Sequence, residues 1–246
     1  MKKHIITLGI MLFCMVLFAQ KPNAADIIRE MSKNLVTENT KATTKMVVHS
    51  RRSSRTMEML NYSSGKDKSF SEYLSPPREK GTKMLKLDNQ LWIYDPTSDR
   101  TIQISGNMLK QSVMGSDLSY EDMTEDTDYA KDYNAEILEE SKYDGREVWI
   151  LKLSAKRNDV SYQMRKTYVD KERYIPLYEE WYAKNGKLLK TYKVSEVKKI
   201  SGRWQPTKIL FKDELKTGKG TEYIVVKMEI GIKIPEHIFS RASLRK

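Results

Sequence analysis

From Thr43 to Ile232 the chain alternates apolar and polar positions with a period of two, in short runs separated by turn residues. The runs predict strands at Thr44–Ser50, Thr56–Tyr62, Ser69–Leu74, Lys83–Leu87, Leu91–Tyr94, Arg100–Ile104, Tyr133–Glu140, Glu147–Leu153, Tyr162–Val169, Leu177–Ala183, Leu188–Val197, Thr207–Phe211 and Glu222–Ile232. Asp88-Asn89, Asp144-Gly145, Asn185-Gly186 and Ser201-Gly202 read as hairpin turns, and Pro76-Pro77 marks a place where no central strand can run. Two stretches have helical spacing instead. Ala24–Leu35 places Ile27, Ile28, Met31 and Leu35 on one helical stripe, with Asn23 as N-cap and Asp26 in the first turn, where the helix dipole favours a carboxylate. Pro235–Leu244 predicts a last helical turn docking Ile238, Phe239 and Leu244. No βαβ alternation and no repeat occurs. The expected fold class is therefore mainly β (α+β): one large antiparallel sheet, curled because so many strands do not stay flat, with a helix or two.

The strand faces carry further information. In Glu222–Ile232 one face reads Ile224, Val226, Met228, Ile230 and Ile232, and the other Tyr223, Val225, Lys227, Glu229 and Gly231. Met46 and Val48, then Met57 and Met59, repeat this division into a dry and a wet face. Leu91–Tyr94 and Val148–Leu153 are apolar on both faces, so their outer side needs a cover. A barrel of this many strands encloses more space than its side chains easily fill, and such barrels hold ligands. Methionine suits an adaptable apolar lining, although the same residues also serve as an ordinary β core. Periodicity leaves both readings open.

The N-terminus is of another kind. Met1-Lys2-Lys3 precedes an apolar run from Ile5 to Phe18, then Ala19 and the polar Gln20-Lys21-Pro22-Asn23, which is the layout of a secretory signal peptide spanning residues 1–19. The run is shorter than the ~20 residues a membrane span needs. Cys14 is not read as a lipidation site, because the bulky Phe13 precedes it and the apolar run continues beyond. The expected mature chain is thus one domain, 20–246, exported to the periplasm and free of cysteine.

Composition narrows the chemistry. The 246 residues include 3 His and 1 Cys, which excludes a disulfide framework and a thiolate zinc cage. His4, His49 and His237 stand at no ligand spacing, and no Gly-x-Ser-x-Gly elbow or P-loop spacing is present around Gly218-Lys219-Gly220. No catalytic residue, metal site or cofactor is expected. The net charge of +11 is uneven. Segment 116–140 holds ten acidic residues against Lys131 alone, a net −9; outside it and the signal peptide the chain carries +18. Asp117, Glu121, Asp122, Glu125, Asp126 and Asp128 in that segment are either a solvated loop or a surface docking a partner. Before it, Gly106–Gly115 is expected as a loop bearing Met108, Leu109, Val113 and Met114, either tucked over the sheet or acting as a flap at a cavity mouth.

One stretch is more specific. Gly81-Thr82-Lys83-Met84-Leu85 leads into Leu91-Trp92-Ile93-Tyr94-Asp95-Pro96, Arg100, Ile102 and Ser105, and ends in Gln111-Ser112-Val113-Met114-Gly115-Ser116-Asp117-Leu118-Ser119-Tyr120-Glu121-Asp122. With Tyr168-Val169-Asp170, Ile175-Pro176-Leu177 and Gly186-Lys187-Leu188 downstream, it resembles the "outer membrane lipoprotein-sorting protein" branch of the LolA-like family. The resemblance implies an incomplete antiparallel β-barrel forming a hydrophobic half-pipe lidded by helices. It also implies a non-catalytic periplasmic carrier, or chaperone, that shelters lipid or lipoprotein acyl chains between the inner and outer membranes. Its implied partners are an inner-membrane transporter and an outer-membrane acceptor, with transient contact to the membrane surface. A monomer and no nucleic acid are expected. The candidate lipid-binding residues are Met46, Val48, Met57, Met59, Leu85, Trp92, Tyr94, Trp149, Trp181, Tyr192, Ile224, Val226 and Met228. The alternative is an accessory envelope module with a filled barrel, docking a transporter or other envelope protein through segment 116–140.

Overall fold

A computed structural model describes residues 22–36, 38–124 and 128–245. The signal peptide with His4 and Cys14, and the acidic candidates Glu125 and Asp126, lie outside the described residues. Among the described residues no helix is long and apolar enough to cross a membrane.

Helix α1 (Ala24–Leu35) begins where expected. Asn23 accepts a hydrogen bond from the Asp26 backbone N–H at 2.9 Å, satisfying one of the donors a helix start leaves free. Its apolar stripe is buried at Ile27, Ile28 and Met31. Thirteen strands follow: β1 (Thr40–His49), β2 (Ser54–Ser64), β3 (Lys68–Ser75), β4 (Lys83–Leu87), β5 (Gln90–Asp95), β6 (Arg100–Ile104), β7 (Tyr133–Tyr143), β8 (Arg146–Ala155), β9 (Met164–Asp170), β10 (Pro176–Tyr182), β11 (Leu188–Ile200), β12 (Arg203–Asp213) and β13 (Gly220–Ile230). Each of the thirteen predicted runs corresponds to one of them. β3 stops at Ser75, before the prolines.

The strands form one antiparallel sheet in the order β6-β5-β4-β3-β2-β1-β13-β12-β11-β10-β9-β8-β7. The sheet does not close, and β6 and β7 are its free edges. The only neighbours far apart in sequence are β1 and β13, which join two meanders at the middle of the sheet.

Register assigns the faces. Met46 pairs with Met57 and Tyr223, Met59 with Tyr73, and Tyr223 with Ile209, so these share one side. The same side continues through Tyr192 and Phe211, Arg165 and Trp181, and Leu151 and Thr167. α1 packs on it over Trp149, Leu151, Leu153 and Val169. The described residues of the connection from β6 to β7 also lie on it. They comprise 3-10 turns at Gly106–Lys110 and Val113–Gly115, then α2 (Tyr120–Thr124) and α3 (Tyr129–Asp132). Residues 105–124 of this connection reach Arg55 on β2 and Lys190 on β11, which a flat sheet would hold far apart. The sheet therefore curls around them, and this is its inner face.

The outer face has its own cover. Ile234, Phe239 and Leu244 of the C-terminal tail pack on Phe70, Leu85 and Trp92. That contact supplies the cover that a strand apolar on both sides, such as Leu91–Tyr94, requires.

Candidate functional site

The inner face of β1–β6 is a methionine-rich cluster. Met46, Met57, Met59, Tyr73, Met84, Leu91 and Ile104 are each at most 6% exposed and pack with Val113 of the flap. Met108, Leu109 and Met114 of the flap join them at its border. Beside it, on β10–β12, Trp181, Tyr192 and Val194 pack with Tyr162, Ile209 and Phe211. Burial raises the hydroxyl pKa of Tyr73, Tyr192 and Tyr223 above the usual phenol range, so these groups stay neutral.

The register sorts the candidate lining residues into two groups. Met46, Val48, Met57, Met59, Trp149, Trp181, Tyr192 and Met228 share the inner face. Leu85, Trp92 and Tyr94 stand on the outer face, the first two buried beneath the tail, and Ile224 pairs with Lys208 on that side. These four cannot line an inner cavity. Val226 is displaced for a different reason. Thr43 pairs with Lys227 but Thr44 with Val225, so Val226 is the extra residue of a β-bulge and is 54% exposed. The bulge breaks strict alternation, so Tyr223, Val225, Met228 and Ile230 share the inner face rather than the set that period two predicts.

The flap covers this cluster and is held at its edges by polar contacts. The Asp117 carboxylate accepts from the Asp213 N–H at 2.9 Å and from the Thr221 hydroxyl at 2.7 Å. Asp122 accepts from Lys190, from the Tyr162 hydroxyl and from the Ser119 N–H. Arg55 donates to the Met114 carbonyl and pairs with Glu79, while Lys216 donates to the Ser112 hydroxyl and the Ser116 carbonyl. Asp117 and Asp122 thus point into the molecule and are occupied there, not free on a docking surface. Glu121 and Asp128 are half-buried. Of the later acids of the segment, Asp132 ends α3, and Glu136, Glu139 and Glu140 belong to edge strand β7, within the run whose alternation predicts a strand.

An ion pair lies deeper on the inner face. Arg165, 3% exposed, meets Glu179, 1% exposed, at 3.3 Å. The Glu179 carboxylate also accepts from Trp181 Nε1, Thr167 and Tyr129. The Arg165 guanidinium lies over the rings of Tyr129, Tyr133, Tyr162 and Trp181, its central carbon 4.5 Å from the Trp181 ring centre.

This arrangement, an open curled sheet with helix and flap on its inner face, has relatives. A family model whose description reads "-like: Uncharacterized protein" matches residues 65–246. Among solved structures, a DUF1329 family protein from Desulfovibrio piger superposes with a TM-score of 0.82 at 24% identity, covering 89% of this chain and 97% of that one. A domain from Vibrio parahaemolyticus described as an outer membrane lipoprotein-sorting protein gives 0.80 at 24% identity, covering 91% and 98%. A LolA superfamily protein from Nitrosomonas europaea gives 0.75 at 21% identity, covering 90% and 99%. No curated protein sequence matches. The chain belongs to the matched family, and its fold is LolA-like.

In the LolA-like chain the trough is occupied by its own lids. A cleft of about 930 Å³ opens between α1 and the β2–β3 turn, and Arg29, Lys33, Asn34, Ser64, Asp128 and Arg203 give it a polar wall. A smaller one, about 430 Å³, reaches Val48 past the flap residue Gly115. Among the described residues no group of three or more His, Cys, Asp and Glu is placed to hold a metal ion.

Several site residues escape a reading by spacing. Leu91 belongs to a strand apolar on both faces, where alternation selects neither side, and Met84 stands beside Leu85, so that spacing does not say which of the two faces inward. Tyr73 stands among polar neighbours in Ser69–Leu74. Arg165 and Glu179 lie in alternating strands, where spacing gives no sign of a partner. Only the fold shows that they meet on one face, as diagonal neighbours of the β9–β10 pair.

Proposed function

We propose that the protein is a non-catalytic carrier that shelters lipid or lipoprotein acyl chains against its inner sheet face during transfer through the periplasm towards the outer membrane. The observation that carries this reading is the Met46, Met57, Met59 and Met84 cluster lying beneath a flap of short turns instead of a long packed helix. Methionine side chains repack around irregular apolar guests. An acyl chain loses about 0.8 kcal/mol for each methylene exposed to water, so a lipid anchor crosses an aqueous gap only under such cover. The fold described here is then the closed, unloaded form, and cargo takes the place of the flap and α1. The apolar leader fits export, and the fold resembles that of the lipoprotein-sorting domain and the LolA superfamily protein. The alternative of docking through segment 116–140 has less support, because Asp117 and Asp122 are engaged inside the molecule.

Displacement of a fluorescent fatty-acid probe, with native mass spectrometry of the purified protein, tests the proposal. Uptake is expected, and Met59→Gln together with Met84→Gln should weaken it roughly tenfold, because cargo would then meet two amides lacking partners. A protein that carries no lipid and takes up no probe ends the carrier reading.

A further inference from the structure

In an antiparallel meander, successive links fall at alternate ends of the sheet, and here the short strand links differ in charge between the two ends. Links 50–53, 76–82, 96–99, 156–163, 183–187 and 214–219 lie at one end and carry ten basic and four acidic residues, a net +6. Turns 65–67, 88–89, 144–145, 171–175 and 201–202 lie at the other and carry three basic and four acidic residues, a net −1. Arg51, Arg52, Lys187 and Lys219 at the basic end are exposed and have no carboxylate partner among the described residues.

At the centre of that end, the Lys219 N–H donates to the His49 carbonyl at 2.8 Å and holds the β1–β2 and β12–β13 turns together. Arg51 and Arg52 line a cleft of about 460 Å³ with Ser50, Thr217 and Gly218. Next to it Leu215 projects from the turn at 58% exposure, the most exposed large apolar side chain among the described residues. The one acid of that turn, Glu214, accepts a hydrogen bond from Thr191. A projecting leucine flanked by unpaired cations needs an apolar phase and a field of anions within a few ångströms of each other. The boundary of a bilayer bearing anionic head groups supplies both. An acidic protein surface supplies both only where an apolar pocket lies beside its acids.

We infer that this end of the molecule docks onto a bilayer containing anionic phospholipid, with Leu215 entering the head-group boundary and Arg51, Arg52 and Lys219 meeting phosphates. The same end borders Gly115 and Val48, where the flap meets the methionine cluster. If the carrier reading holds, docking sets the mouth of the trough against the lipid; the docking surface itself does not depend on that reading.

Vesicle flotation of the purified protein tests this, using phosphatidylcholine alone or mixed with phosphatidylglycerol. Flotation is expected with the mixed vesicles only, and should be lost in high salt because screening shortens the reach of the charges. The combination Arg51→Glu, Arg52→Glu and Lys219→Glu should lower the bound fraction roughly tenfold or more, and Leu215→Asp roughly threefold. A control combination of Lys142→Glu, Lys193→Glu and Lys233→Glu changes net charge equally at exposed sites elsewhere and should leave flotation intact. Circular dichroism of both combinations establishes that they are folded. No flotation, equal flotation with neutral vesicles, or equal loss from the two combinations would overturn the inference. A protein that floats yet takes up no fatty-acid probe keeps the docking surface and loses its cargo; one that takes up the probe without floating does the reverse.

Discussion

Glu179 and Arg165 are the residues whose surroundings matter most for how firmly the inner face is held. Taking both charges out of water is costly, and the arrangement persists because every partner is present: two tyrosine hydroxyls, the Trp181 N–H and the Thr167 hydroxyl. Glu179→Gln leaves the guanidinium buried without a counter-charge. It should lower stability by about 3–5 kcal/mol, read as a fall in the urea midpoint. Replacing both by Met should cost less, because no orphaned charge remains. A Glu179→Gln protein as stable as the parent would show that the aromatic rings alone accommodate Arg165. The methionine positions make the complementary point: their side chains are legible as apolar in the sequence, but only pairing across β1–β4 reveals that Met46, Met57, Met59 and Met84 meet.

At the scale of elements, the two covers of the sheet are built differently. The tail is anchored by apolar side chains, with Leu244 fully buried and Phe239 nearly so. The flap buries Val113 fully but only half-buries Met108, Leu109 and Met114, and depends on the polar contacts of Asp117, Asp122, Ser112 and Ser116. Hydrogen bonds exchange readily with water, so a cover held this way opens at lower cost than one held by apolar area. A disulfide joining Asp117→Cys to Thr221→Cys should therefore abolish uptake of the fatty-acid probe when oxidised and restore it when reduced. Equal uptake in both redox states would mean that cargo reaches the trough without moving the flap. Spacing located this segment and its apolar residues because they sit between glycines. It did not locate the hooks, since their partners on β11–β13 are about seventy or more positions away in sequence.

The whole molecule has two consequences that no single element shows. One is the charge difference between its two sets of strand links, which gathers part of a scattered basic excess at one end of the sheet. The other is the open sheet, whose edge strands leave unpaired backbone groups. Strand β7 presents Glu136, Glu139 and Glu140 at its exposed positions, and β6 begins with the exposed Arg100. Charges at such an edge oppose pairing with a second copy. Changing the three glutamates to Thr should produce concentration-dependent oligomers in size-exclusion chromatography with light scattering. A variant that stays monomeric at high concentration would show that curvature alone protects the edge. The acidic segment thus divides by position: Asp117 and Asp122 fasten the flap, and the later glutamates guard an edge.

The sequence by itself determined the elements, because period-two alternation, turn residues and one capped amphipathic stripe are local properties that survive in any arrangement of the chain. It fixed α1 at Ala24–Leu35 and located all thirteen strands, two of them to the residue. The tertiary structure decided the faces. A strand apolar on both sides, such as Leu91–Tyr94, carries no information about which side is covered by what, and one bulged residue at Val226 reverses the alternation beyond it. Whether Leu85 and Trp92 meet the trough or the tail, and whether an aspartate faces solvent or Lys190, depends on contacts between segments far apart in the chain. Those contacts exist only once the sheet has curled.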